Sequence, residues 1–261
     1  MFESKDKSLY YKRSFDVKKG ASLRAYIYQK RNYFIAKRVF DLLTSFFVII
    51  FLLSWLVPVI AILIKLSSKG KVFFVQKRVG FLGRSFDCYK FRTMVVNELA
   101  DTQAATQNDP RITRLGKFLR KSNLDELPQF FNVLMGYMSV VGPRPHMHTD
   151  CNRFSEVIDD YKFRNIVKPG ITGMAQVKGY RGPTKTFDSI FKRYQWDAFY
   201  VRNANFWLDT RIIRKTVVQT VLFIWHVVFP GKSRAVVRQN ETQKHFQKAL
   251  LDMRQRMNGL L

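Results

Sequence analysis

The sequence predicts an α+β protein, mostly helical, with one re-entrant membrane helix, amphipathic helices at the interface and a small sheet. Three observations lead there. A 23-residue stretch, Leu42–Ile64, carries no charge and is flanked by basic residues on both sides. The middle of the chain is cut into short elements by Gly70, Gly80, Gly83, Gly136, Gly142, Gly170, Gly173, Gly179 and Gly182. Residues 186 to 229 are aromatic-rich with helical periodicity.

The apolar stretch is long enough to cross a bilayer, for which about 20 residues suffice. Its few polar residues, Thr44, Ser45 and Ser54, make no stripe, so it does not read as a core helix. Pro58 interrupts the hydrogen-bond ladder inside it, and Ser54 stands four residues earlier with a hydroxyl that can satisfy a freed backbone group. Lys30, Arg31, Lys37 and Arg38 precede the run, and Lys65, Lys69 and Lys71 follow it. Lys and Arg favour the cytoplasmic side. A helix broken at Pro58 that returns to the face it entered from meets both requirements. The expected organisation is a basic N-terminal arm over residues 1–36, a membrane element over 37–69, a catalytic domain over 70–215, and an interfacial helix with an amphipathic tail over 216–261. In the tail, Phe246, Leu250, Met253 and Met257 share one helical face, which leaves room for a homodimer.

Val72–Gln76 reads as a strand, and 117–135 as a helix through Phe118, Leu119, Leu124, Leu127, Phe131 and Leu134. Val217–Phe229 is too short to span and reads as an interfacial helix or a core helix. Trp196, Tyr200 and Trp207 read as packing or interface anchors. The net charge of +26, from 45 Lys+Arg against 19 Asp+Glu, calls for an anionic partner such as nucleic acid, anionic lipid or a phosphorylated small molecule. Cys88 and Cys151 form no disulfide framework, and the first residues lack the apolar stretch of a signal peptide.

The candidate chemistry lies between Pro110 and Thr149. Arg111, Arg114, Lys117, Arg120, Lys121 and Arg144 surround only two acids, the adjacent Asp125 and Glu126. Spacing alone permits helix capping, with Ser122 three before Asp125 and Asn123 three before Glu126. It also permits phosphoryl transfer, in which one carboxylate attacks phosphorus and its neighbour holds Mg²⁺ while arginines neutralise phosphate. No Walker loop or G-x-G-x-x-G is present. Adjacent residues on one helix cannot flank a glycosidic bond, which excludes a two-carboxylate glycosidase. His146, His148 and Cys151 make a weak zinc motif, and His146 beside Arg144 reads better as a substrate-loop residue.

These residues sit in stretches that resemble the bacterial sugar transferases, the polyprenyl-phosphate hexose-1-phosphate transferases. The stretches are KRVFD (37–41), FFVQKRVG (73–80), YKFRTM (89–94), NDPRITRLGKFLRKSNLDELPQFFNVLMG (108–136), MSVVGPRP (138–145) and KPGITGMAQVKG (168–179). The resemblance implies that Asp125 attacks the sugar-linked phosphate of a UDP-sugar and expels UMP, with Glu126 as its partner and Asp125 and Glu126 associated with Mg²⁺. It implies transfer from Asp125 to undecaprenyl phosphate. Arg120, Arg144, Arg92 and Arg111 are the candidate phosphate and nucleotide contacts, and Ser54 and Pro58 mark the membrane break. The stretches PRPHMH (143–148), KGYRGPT (178–184) and YVRNANFWLD (200–209) look most like glucose-1-phosphate transferases of exopolysaccharide pathways, of the short, monotopic form, at the cytoplasmic face of the inner membrane. Where the family usually has an acid, this chain has Tyr137. The competing expectation is a membrane-tethered nucleic-acid binder without catalysis, which uses the charge but leaves Asp125 and Glu126 unexplained; the favoured reading includes no nucleic acid.

Overall fold

A computed structural model describes residues 25–96, 109–182 and 186–229. The chain divides into two compact units, one ending at Thr216 and the other beginning at Val217. The tail face of Phe246, Leu250, Met253 and Met257 lies outside the described residues.

The candidate membrane element is one helical stretch in three pieces: α1 (Arg31–Phe47), a π-helical turn (Val48–Leu53) and α2 (Ser54–Ser67). Together they run 37 residues, and only 17 % of the most apolar stretch is buried, so this is not a core helix. Pro58 does not end the helix; the backbone is helical on both sides of it. Instead, the turn before it widens, and the Ser54 N–H donates to the Ile49 carbonyl, five residues back. Leu43, Phe46, Phe47, Ile50, Phe51, Trp55, Val59, Ile62 and Leu63 are exposed on this element. Its buried residues are Asp41, Ser45, Leu53, Ile60 and Ile64.

β1 (Phe73–Val79) and β2 (Ser85–Phe91) form an antiparallel hairpin, with Phe73 opposite Phe91 and Val79 opposite Ser85. α3 (Arg114–Ser122) follows, N-capped by the Thr113 hydroxyl, which accepts from the Gly116 N–H at 2.9 Å. A Cβ on Gly116 would lie 1.9 Å from the Thr93 carbonyl oxygen, so α3 can lie this close to the chain after β2 only with glycine there. The helix expected over 117–135 is broken: Asn123 takes a left-handed conformation (φ 64), a 3₁₀ turn covers Leu124–Glu126, and α4 (Gln129–Leu134) begins only after Pro128. Asn is among the few residues that adopt this conformation readily.

β3 (Ser139–Val141) pairs in parallel with β4 (Gly170–Thr172), Ser139 opposite Gly170 and Val141 opposite Thr172. The small sheet is therefore two separate two-stranded ladders. A Cβ on Gly170 would meet the Gly142 nitrogen at 2.0 Å, which fixes glycine at that crossing. Between the two strands run α5 (His148–Val157) and a 3₁₀ stretch (Tyr161–Ile166). α6 (Met174–Val177), α7 (Phe187–Asn203) and α8 (Phe206–Val228) complete the described chain. The main core joins Phe86, Cys88, Val133, Met138, Val140, Val141, Val177, Tyr200, Val201 and Ile212.

The membrane element is held to this body at both ends. On α1, Arg38 donates to the carbonyls of Val133 (2.7 Å) and Leu134 (3.1 Å), at the C-terminal end of α4. There the cation also meets the negative end of the helix dipole. Asp41 accepts the Val140 N–H at 2.9 Å. On α2, Ile60 and Ile64 pack with Phe91 of β2 and Leu119 of α3. Arg92 caps the far end, donating to the Ser68 carbonyl at 2.7 Å and to that of Lys69.

Candidate active site

The 3₁₀ turn between α3 and α4 presents Asp125 and Glu126, which are 8 % and 4 % exposed. The capping alternative does not describe this turn. The Ser122 hydroxyl bonds back to the carbonyls of Phe118 (2.9 Å) and Leu119 (3.1 Å), and Asn123 makes no side-chain cap.

Glu126 is surrounded by cations. Arg144 grips it with two bonds, Nη1 to Oε2 at 3.0 Å and Nη2 to Oε1 at 2.5 Å. Lys90 Nζ lies 2.8 Å from Oε1, and Arg181 Nη2 lies 3.2 Å from Oε2. Arg144 and Lys90 hold the Glu126 carboxyl well below the ordinary carboxylate range despite the opposing effect of burial. Asp125 behaves oppositely: burial and then the neighbouring Glu126 charge raise it to about 6. Its carboxylate has no hydrogen bond or ion pair among the described residues. Arg120 donates from Nε to Thr93 Oγ1 at 2.8 Å; burial pushes it below the usual guanidinium range, and the Asp125 charge partly offsets this. One carboxylate is thus fixed in its ionised form, and the other is left open beside it.

Of the expected site residues, the structure brings together Asp125, Glu126, Arg144 and Arg120. Arg92 instead caps α2. Arg111 is paired with Asp109, Nε to Oδ1 at 2.9 Å and Nη2 to Oδ2 at 2.7 Å. Lys90 and Arg181 were missed. The signal for Lys90 is strand alternation: Phe86 and Cys88 face inward, and Lys90 continues their face. Asn132 on α4 fixes that register, accepting the Tyr89 N–H at 3.0 Å and donating to the Asp87 carbonyl at 2.6 Å.

His146 is not on a substrate loop surface. It is 4 % exposed, its Nδ1 lies 2.6 Å from the Tyr161 hydroxyl, and burial holds it neutral, well below the usual histidine range. His148 bonds instead to Ser85, at 2.6 Å, and Cys151 packs with Phe154. No cluster of three His, Cys, Asp or Glu suited to a metal occurs among the described residues. The two carboxylates expected to associate with Mg²⁺ differ in availability: both oxygens of Glu126 are engaged by Lys90, Arg144 and Arg181, whereas Asp125 is open. A hard cation takes one or two carboxylates and fills its remaining positions with phosphate oxygens and water. Tyr137, at the family's acidic position, stacks on Phe86 with ring centroids 6.1 Å apart. Trp207 is 75 % exposed, whereas Tyr200 is buried and donates to Asp209 at 2.8 Å.

The profile of the family described as bacterial sugar transferase matches residues 32–223, most of the chain and the whole of this site. The chain belongs to the bacterial sugar transferase family. It is 48 % identical over 184 residues to a UDP-glucose:undecaprenyl-phosphate glucose-1-phosphate transferase of Klebsiella pneumoniae, covering 70 % of this chain and 39 % of that protein. It is 44 % identical over 191 residues to a UDP-N-acetylgalactosamine-undecaprenyl-phosphate N-acetylgalactosaminephosphotransferase of Aeromonas hydrophila, covering 73 % of this chain and 44 % of that one. It is also 44 % identical over 190 residues to the exopolysaccharide production protein PSS of Rhizobium leguminosarum bv. phaseoli, covering 70 % of this chain and 94 % of that protein. The chain spans about two fifths of the length of the glucose-1-phosphate transferase it matches.

Proposed function

We propose that this sugar transferase moves a sugar-1-phosphate, glucose-1-phosphate being the best candidate, from a UDP-sugar to undecaprenyl phosphate. The observation that carries the reading is the asymmetry of the dyad. Glu126 is gripped by Lys90, Arg144 and Arg181, while the buried Asp125 beside it keeps its carboxylate open. A carboxylate oxygen of Asp125 attacks the sugar-linked phosphorus, the bond to the UMP oxygen breaks, and UMP leaves with the electron pair. The lipid phosphate then attacks the same phosphorus and returns Asp125 as carboxylate. Lys90, Arg144, Arg181 and Arg120 outnumber the two carboxylates, so the cluster is prepared for the negative charge that builds on the phosphoryl oxygens. Asp125 and Glu126 would hold Mg²⁺, which supplies further neutralisation of the departing phosphate.

The membrane element enters and leaves on one side. What supports this is that Arg38 and Asp41 at its start and Ile60 and Ile64 near its end are bound to the same body. A straight helix of that length would measure about 55 Å. One that spanned the bilayer would carry its far end away from the body. With Lys and Arg at both flanks, the body belongs on the cytoplasmic face.

The test is UMP release from a panel of UDP-sugars by the purified chain with undecaprenyl phosphate and Mg²⁺, beside Asp125→Asn. Release that requires Asp125, with UDP-glucose the best donor, is the expected result. No release from any donor, with Asp125→Asn indistinguishable from the parent, overturns the catalytic reading. For topology, single cysteines at Lys30 and Lys69 should both react with an impermeant thiol reagent from the cytoplasmic side; reaction from opposite sides would sink the re-entrant arrangement.

A further inference from the structure

Two of the cations on Glu126 reach it from loops, and each loop is tied to the interior by a buried arginine. Arg164, 2 % exposed, donates through Nη2 to the backbone carbonyl of Arg144 at 2.6 Å. The same guanidinium holds Asp197 Oδ2, from Nε at 3.0 Å and Nη2 at 2.8 Å. Arg193, 8 % exposed, donates through Nε to the Tyr180 carbonyl at 3.0 Å and through Nη2 to that of Gly182. It thus brackets Arg181 from both sides. Arg193 and Asp197 stand one turn apart on α7, the spacing that places two side chains on one helix face.

We propose that Asp197 is a positioning residue: with Arg164 and Arg193 it fixes the two loops that present Arg144 and Arg181 to Glu126. Burial of two guanidiniums is costly without a compensating acid, and Asp197, 2 % exposed, is that acid. Its charge offsets the desolvation of both Arg164 and Arg193. Asp197 touches neither carboxylate of the dyad, so its effect on chemistry passes through the placement of Arg144 and Arg181. Misplacing a binding group by about 1 Å can cost a factor of about 10².

The inference rests on the proposed function, and its experiment separates the two. UMP release by the full chain is measured for Asp197→Asn, Arg144→Lys, Arg181→Lys and their combinations, with thermal unfolding alongside. Asp197→Asn should lower kcat/KM for the UDP-sugar roughly 10- to 100-fold. In a background carrying both Arg144→Lys and Arg181→Lys it should cost less than about threefold, because both groups it positions are already compromised. Full additivity, or a loss matching the unfolded fraction, overturns the inference and leaves the proposed function standing. Arg144→Lys and Arg181→Lys that both keep full activity overturn it together with the reading of the Glu126 cluster. Should Asp197→Asn fail to fold, Arg193→Gln takes its place. Its loss should be non-additive with Arg181→Lys and additive with Arg144→Lys, and the same dependence on both partners would count against the proposal.

Discussion

Among the described residues, the carboxylate and guanidinium groups around Asp197 and around Glu126 are built to different rules. Around Asp197 the arrangement is closed: the Arg164 and Asp197 side chains are 1 % and 2 % exposed, and the guanidinium finds its remaining acceptor in a backbone carbonyl. Around Glu126 the cations are in excess and more open, with side chains of Lys90, Arg144 and Arg181 at 17 %, 23 % and 32 % exposure. A second carboxylate stands beside it, with no hydrogen bond or ion pair among the described residues. The first group satisfies itself and serves the fold. The second carries more cations than carboxylates, as the proposed transfer of a phosphorylated sugar requires. The difference teaches that charge imbalance with partial exposure points to a candidate site better than burial or ion pairing does.

The sharpest test of that contrast is Asp125→Asn. It should lower UMP release by more than about 10³-fold, as expected when a nucleophile is removed, while leaving the protein folded. Next in size is Arg164→Leu, which leaves Asp197 buried and uncompensated. Breaking a buried pair in this way costs about 3–5 kcal/mol, and unfolding in detergent by denaturant or heat should show it. If Arg164→Leu proved harmless to stability and Asp125→Asn ruinous to it, the assignment of the two groups would be reversed.

The dyad also has a pH signature. Folding raises the Asp125 carboxyl from its ordinary value of 3.8 to about 6. The native state therefore binds the proton more tightly than the unfolded chain, and stability falls as pH rises from about 4 through 6. The loss is of order 2–3 kcal/mol when metal and substrate are absent. Asp125→Asn should flatten this dependence and raise the unfolding temperature at pH 7 by a few degrees, a gain in stability at a position where activity is lost. UMP release should decline as pH falls and the nucleophile takes up its proton; a profile flat across the acid range in which the protein stays folded would count against Asp125 in that role. The smallest effect is expected from Arg92→Gln. It frees the Ser68 and Lys69 carbonyls and should cost about 1–2 kcal/mol, seen as a lower unfolding temperature with the KM for the UDP-sugar unchanged. A raised KM would return Arg92 to the substrate.

What the sequence made legible follows from the range of the interactions. Asp125 and Glu126 stood out because they are the only acids in a basic segment, a local feature. The membrane element stood out by composition, and Arg144 by the motif around it. Alternation along β2 puts Lys90 on the inward face, but its approach to Glu126 depends on the placement that the distant Asn132 side chain gives that strand. Arg92 reaches the end of α2, more than 20 residues earlier, and nothing in its sequence neighbourhood announces that contact. The long helix expected across 117–135 failed at Asn123, where hydrophobic periodicity continues but the backbone turns left-handed. The pairing of Arg164 with Asp197, 33 residues away, is set entirely by the packing of α7.

The two native thiols have a practical consequence. Cys88 and Cys151 are 1 % and 2 % exposed, and burial raises both above the usual thiol range, so neither offers an accessible thiolate. The unaltered chain should be nearly silent to maleimides. Fluorophores or spin labels can then be attached at chosen surface positions without first stripping the background cysteines, leaving the core around β2 and α5 as it is.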